Sequence, residues 1–275
     1  MPQTQGRPVK NLRKPSFKPV EAVVRALRVL RVINEEKQST VASLHRQTGL
    51  DKATIVRMLE TLHHEGYVAR DQERALYSVT ARTLLLSQGY DRSRWLASVA
   101  EPTLARFRNA IGWPSDLALF DFDAMVVVQT SRGSGPLSFN RQPGFRSPML
   151  ATSIGLAYLA FCGEEERRSI IENLAASPGE WNQLAQDPER LEKLLKKIRK
   201  DGFAVMSSEY SRDVFASNVW AIGVPVMHEG ELFATMNVML LKSAVNLTEA
   251  RKTLLAPLQR TAAQIARDLA QSRYS

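Results

Sequence analysis

Lys52, Thr54 and Arg57 stand within six residues of one another, directly after Asp51, in the run TGLDKATIVRMLETLHHEG. Their types suit the edges of nucleobases: Arg and Lys match the acceptors of guanine, and Thr can touch a thymine methyl. Such contacts require the exposed start of a helix. Asp51 is an N-cap residue there, and Ala53 lies beside Lys52 at the same exposed end. Ile55, Met58, Leu59 and Leu62 recur at spacings of three and four, which gives the helix an apolar inner face. A shorter helix precedes it, with Ser39 or Thr40 as cap and Val41, Leu44 and Gln47 or Thr48 at helical spacing. Gly49 supplies the sharp turn and Leu50 plugs the angle between the two helices. The pair has the shape of a helix-turn-helix whose second helix enters a DNA major groove.

A bare helical pair is also a common packing hairpin, so the flanks carry the argument. Residues 67–70 and 75–79 read as two strands around the polar turn 71–74, which is a wing. Upstream, Ala22, Val23, Ala26, Leu27, Val29, Leu30 and Ile33 form the apolar stripe of a helix that would complete a three-helix core. In that frame Ser39, Thr40, Arg70 and Arg74 are placed to grip phosphates, which fixes register without reading sequence. The competing reading for each is a solvated surface residue. His45, His63 and His64 have no carboxylate or cysteine at metal-like spacing and read as surface or helix-packing residues.

The net charge of +9 is uneven. Residues 1–80 hold fourteen Lys or Arg against eight Asp or Glu, and the other 195 hold twenty-three against twenty. The smaller part is the more basic one, as a surface that neutralises phosphates requires. Residues 1–18, with Arg7, Lys10, Arg13, Lys14 and Lys18 among Pro, Gln and Gly, read as a flexible basic arm. No run of about eighteen apolar residues exists, so a cytoplasmic protein with no membrane partner is expected. The single cysteine, Cys162, excludes an internal disulfide and a multi-cysteine metal cluster, and reads as a buried free thiol. No cofactor or metal is implied.

From about residue 20 to the C-terminus the chain resembles the IclR family of bacterial transcriptional regulators. Three runs carry the resemblance: TGLDKATIVRMLETLHHEGYV, RSPMLATSIGLAYLAF at 146–161, and RKDGF at 199–203. WPSDLALFDFDAMVV at 113–127 and LAFC at 159–162 look like the branch that activates genes for hydroxyphenylpropionate breakdown. The resemblance implies an α+β chain of two domains: a basic arm over 1–18, a winged helix-turn-helix over 19–79, a linker helix over 80–96, and a GAF-like effector-binding and oligomerisation domain over 97–275. That last domain would be an antiparallel sheet flanked by helices. Its own pattern agrees: a helix over 96–110, strands over 116–120, 124–130, 137–140, 218–227 and 232–241, and helices over 149–161, 164–174, 188–200 and 248–271.

The run Ala151-Thr152-Ser153-Ile154-Gly155 opens an apolar helix, whose free amides and positive dipole end favour a carboxylate. Within the family, effector acids contact this helix start, the strand after the RKDGF-like segment and alternate positions of the last strands. Carried over, these positions are Ser153, Ile154, Met206, Val219, Asn237 and Met239. In the relative that answers to glyoxylate and pyruvate, the positions of Met206 and Val219 carry Asp and Cys, and those of Asn237 and Met239 carry serines. Met and Val make the cavity more apolar, so an aromatic carboxylate is the expected effector. Ser208, Asn218, Phe139, Trp113 and Arg141 are further candidates for the same wall. Plain core packing is the competing reading of the Met and Val stripe.

The sequence thus points to a regulator, more readily an activator, of an aromatic-compound catabolic operon. Its partners would be a palindromic double-stranded operator, an aromatic acid, a second copy in a homodimer or dimer of dimers, and RNA polymerase if it activates. Two alternatives remain open: a small-molecule enzyme with an accessory DNA-binding head, and a DNA-binding protein without a ligand. Against catalysis, the chain has no GxSxG, HExxH or CxxC motif, His228 sits in a turn without a serine or cysteine partner, and the glycine-rich stretch 131–135 lacks phosphate-loop spacing.

Overall fold

The computed structural model describes residues 18–71, 73–87, 91–131, 142–177 and 179–272, and the chain divides into two compact units, 1–90 and 91–275. The expected strand at 137–140, the stretch 132–135, most of the basic arm, Phe139 and Arg141 lie outside the described residues.

The first unit runs α1 (Glu21–Glu36), α2 (Val41–Thr48), α3 (Lys52–His64), β1 (Val68–Asp71) and β2 (Leu76–Val79). Gly49 adopts a left-handed φ of 68° between α2 and α3, a conformation that costs a side-chain-bearing residue but not glycine. Val29, Ile33, Leu44, Ile55, Leu59 and Val68 close one apolar core under the pair. The strands pair antiparallel from Val68↔Val79 to Asp71↔Leu76, and Ser39 adds a bridge to Tyr77. The apolar stripe of α1 splits in two. Val29, Leu30 and Ile33 enter the core, whereas Val23 and Leu27 of the stripe remain exposed, as do Val20 and Val24 outside it.

The single linker helix expected over 80–96 is not what forms. Residues Ala81–Ser87 make a 3-10 helix, and α4 begins at Asp91 and runs to Ile111 through Pro102. The 3-10 turn leaves Leu84, Leu85 and Leu86 exposed.

The second unit continues with β3 (Asp116–Asp121), β4 (Ala124–Thr130), β5 (Arg146–Pro148), α5 (Ser153–Phe161), α6 (Glu164–Ala176), α7 (Pro188–Asp201), β6 (Ala204–Val205), α8 (Ser208–Phe215), β7 (Val219–His228), β8 (Glu231–Leu241), α9 (Leu247–Thr253) and α10 (Leu255–Ser272). One antiparallel sheet of order β5-β4-β3-β8-β7-β6 forms the middle layer. Alternation along the strands sends Met236, Val238 and Leu240 to the face covered by α4 and α10, and Asn237 and Met239 to the face covered by α5.

Three further elements differ from the sequence reading. The helix expected from 149 starts at Ser153, because Thr152 caps it and residues 149–152 turn into it. The last helix breaks at Leu254: Pro257 cannot donate to Thr253, and its ring crowds that carbonyl. The short strands β5 and β6 and the helix α8 had no periodic signal long enough to show.

Candidate nucleic-acid interface and effector site

At the start of α3, the Asp51 carboxylate accepts from the Thr54 amide at 2.8 Å and from the Thr54 hydroxyl at 2.7 Å. Those two bonds hold its carboxyl below the ordinary carboxylate range. Lys52, Ala53 and Arg57 are exposed on this end, and Thr54 is half-buried with its hydroxyl committed to the cap. Thr40 caps α2 in a reciprocal box with Ser43. Arg70 and Arg74 are exposed on the wing, with the Arg70 guanidinium 5.8 Å from the Tyr77 ring centre. The Asp71 carboxylate shapes the wing tip by accepting from the amides of Glu73 and Arg74. A cleft of about 410 Å³ opens between the start of α2, the outer flank of α3 and the wing, with Thr40, Val56, Glu60, His63 and Arg70 among its walls.

Ser39 is corrected by this geometry. It is buried, its backbone bridges Tyr77, and its hydroxyl donates to Glu36, so it braces the wing and has no free surface for a phosphate. Two of the histidines also have structural bonds: His45 Nδ1 lies 2.6 Å from the Leu50 carbonyl and His63 Nδ1 2.9 Å from that of Val68.

In the second unit α5 is buried over all but its last residue. Its start packs closely at two glycines, Gly155 against the turn that leads into it and Gly223 on the sheet. A Cβ on Gly155 would lie 2.3 Å from the Met149 carbonyl oxygen, and one on Gly223 of β7 would lie 2.6 Å from that of Ser153. The Thr152 hydroxyl caps the helix through the Gly155 amide and donates to the Pro148 carbonyl. The Ser153 hydroxyl is buried without a hydrogen-bond partner, as is that of Thr235 on β8.

Asn237 stands opposite Gly223 in the β7–β8 register. Its side-chain oxygen accepts from the Asp116 amide at 2.9 Å, and the Asp116 carboxylate accepts from the Thr130 hydroxyl at 2.8 Å, so a buried polar row crosses β4, β3 and β8. Beside this row Met206, Val219 and Met239 join Ala151, Ala221 and Tyr210 in an apolar cluster distinct from the two large cores.

The remaining predicted wall residues part company with that cluster. Ile154 buries its side chain in the neighbouring core with Met125 and Val127, leaving only its backbone at the helix start. Trp113 packs against the core on the opposite face of the sheet, next to α4 and α10. Ser208 and Asn218 are exposed at the two ends of α8, and Ser208 donates to Glu209. Conversely, Tyr210, Trp181 and Phe215 belong to the cluster and were missed. They lie in a helix and a connection with no periodic pattern, and no short-range signal marks them.

Cys162 caps the other end of α5, and burial pushes its thiol up to about 12. No group of three or more His, Cys, Asp or Glu stands close enough to hold a metal among the described residues. Among those residues no helix is long and apolar enough to cross a membrane.

Two family models match the chain. The one described as "IclR helix-turn-helix domain" covers residues 22–72, and "Bacterial transcriptional regulator IclR C-terminal" covers residues 88–267. Among curated proteins the chain is similar to the HTH-type transcriptional regulator XynR of Escherichia coli strain K12, 25% identical over 229 residues, covering 82% of this chain and 88% of that one. It is also similar to the transcriptional repressor IclR of the same organism, 24% identical over 220 residues, covering 77% and 78%. Among solved structures, an IclR family transcriptional regulator from Brucella abortus shares the fold with a TM-score of 0.66 at 23% identity, covering 91% of this chain and 93% of that one. An IclR homolog from Microbacterium hydrocarbonoxydans, crystallised with 4-hydroxybenzoate, does so with a TM-score of 0.66 at 21% identity, covering 92% and 100%.

Proposed function

The chain belongs to the IclR family and is a DNA-binding regulator of transcription, and from that premise we propose that it activates an aromatic-compound catabolic operon when an aromatic carboxylic acid enters its second unit. The single observation that carries the ligand class is the cluster of Met206, Val219 and Met239 beside the start of α5. A carboxylate seated at that start meets free amides, the positive dipole end and the unpartnered Ser153 hydroxyl, while the thioethers accept a flat ring. Activation rests on the branch resemblance in 113–127 and makes RNA polymerase a partner. The protein then works in the cytoplasm.

On the DNA side Lys52 and Arg57 reach base edges, and Ala53 and the Thr54 methyl pack against them. Thr40 and Arg70 in the cleft, and Arg74 on the wing, take phosphates. Two heads act together on a palindrome, in a homodimer or dimer of dimers. The exposed apolar side chains of Val20 just before α1, of Val23 and Leu27 on α1, and of Leu84 to Leu86 in the 3-10 turn support an association surface on the first unit.

Titration of promoter fragments at two salt concentrations, repeated with benzoate-type and phenylpropionate-type acids, tests the reading. An acid that favours one arrangement of the heads must change operator affinity, and DNA must change acid affinity by the same factor. Turnover of the acid with no effect on DNA binding would instead support an enzyme with an accessory head.

A further inference from the structure

The apolar cluster at the start of α5 is closed: Met206 is 6% exposed, Val219 5%, Tyr210 3% and Met239 1%. A ligand reaches it only if one wall moves. At the cluster β7 and β8 are laddered to each other, the Met206 amide donates to the Ala221 carbonyl and the Met239 amide to that of Pro114, and α5 is locked over Gly223, so these walls are fixed. The remaining wall is α8, which lies over the end of the sheet.

Three observations make α8 the moving part. Its outer surface is exposed, and polar groups there pair locally, Ser208 with Glu209 and Arg212 with Asp213. Its C-terminal end turns through two consecutive non-glycine residues in the left-handed region, Ala216 at φ 48° and Ser217 at φ 63°. Such positions carry backbone strain and gather at hinges and switches. At its other end the Ser207 amide donates to the Ala151 carbonyl at 2.9 Å, so the entry to α8 is joined to the turn that leads into α5.

The inner surface of α8 is aromatic. Tyr210 meets Trp181 edge to face, with ring centres 4.9 Å apart and planes at 78°, and meets Phe215 at 5.9 Å and 70°. Rings set this way present both edges and faces to a third ring, and this geometry is selective for an arene over a saturated ring of equal size.

We propose that Tyr210, framed by Trp181 and Phe215, is the ring-recognising wall of the effector site, and that α8 is its cover, swinging out to admit an aromatic acid and closing over it. The inference rests on the reading of this cluster as the effector site. A ring against Tyr210 and a carboxylate at the start of α5 let one ligand hold both ends of the Ser207–Ala151 junction.

The experiment uses the full chain and calorimetry with matched acids: benzoate against cyclohexanecarboxylate, and 3-phenylpropionate against 3-cyclohexylpropionate. The wild type should prefer the aromatic member by about tenfold. In Tyr210→Leu and Trp181→Leu that preference should collapse, the ratio of the two affinities falling towards one. Trp181 is half-buried, so its variant keeps the test sound if the Tyr210 variant fails to fold. Amide hydrogen exchange over 208–215 should slow when the aromatic acid binds by more than it does over α10, a local excess that general stabilisation of the folded unit does not produce. Wild-type discrimination in a folded variant, or exchange in α8 unaffected by bound ligand, overturns the proposal while leaving the aromatic effector standing. Binding of neither pair to the wild type removes the effector reading and this inference together.

Discussion

Two helix starts in this molecule offer themselves to anions, and they are built in opposite ways. At α3 the cap is the charged Asp51, the end is exposed, and the positive groups are side chains, Lys52 and Arg57. At α5 the cap is the neutral Thr152, the end is buried, and the positive groups are backbone amides. A carboxylate cap cancels part of the dipole end that a ligand would otherwise feel, whereas a hydroxyl cap leaves it whole. A helix that reads DNA with side chains tolerates the charged cap. One that receives a small acid on its amides does not.

The largest effect should come from removing the side-chain cations. Lys52→Ala with Arg57→Ala should weaken specific operator binding by about a hundredfold and lower the dependence on salt, measured by fluorescence anisotropy at several ionic strengths. Acid binding to the second unit should be unaffected. The complementary break is Gly223→Ala, whose Cβ would lie 2.6 Å from the Ser153 carbonyl oxygen. Lifting α5 from the sheet should destabilise the second unit by about 2 kcal/mol in urea melts and abolish the acid response, with DNA binding preserved.

Thr152→Asp sharpens the comparison by giving α5 the type of cap that α3 has. The side chain still accepts from the Gly155 amide, but a negative charge now stands at the helix start proposed to seat the ligand carboxylate. Acid affinity should fall by about tenfold at neutral pH, read by calorimetry. An unchanged affinity would place the carboxylate elsewhere.

The head was legible because its signals are local. Caps, the turn glycine and apolar spacing all lie within thirty residues, and they put Lys52, Thr54 and Arg57 where the structure has them. Ser39 failed because burial under Tyr77 comes from a bridge to a strand nearly forty residues away. The second site depends on such long-range placement throughout. Met206, Val219 and Met239 converge through the β6-β7-β8 register, and alternation along β8 separates Asn237 from Met236. Trp113 was misassigned because the face a residue takes just before β3 is set by packing against α4 and α10, not by its neighbours. The aromatic wall of Trp181 and Tyr210 joins two elements whose own sequence is nearly patternless.

The smallest effect, and the one that isolates the charged cap, is Asp51→Asn. Asn accepts the same Thr54 amide bond, so the helix cap is kept, while the charge and the acceptor of the Thr54 hydroxyl are lost. At neutral pH operator affinity should rise by about threefold at low salt, since a negative charge next to phosphates is gone, and the gain should shrink as salt is added. The acid limb gives an independent check. The folded-state carboxyl of Asp51 titrates below its ordinary value of 3.8 because Thr54 donates to it twice. Its contribution to stability is therefore complete above about pH 3.8 and lost as pH falls through the lower folded value. The gap between urea midpoints of the wild type and Asp51→Asn should be flat from pH 7 to about 4 and change only below. A gap that varies near neutrality would mean that a group other than this cap is titrating, and the contrast between the two helix starts would lose its electrostatic basis.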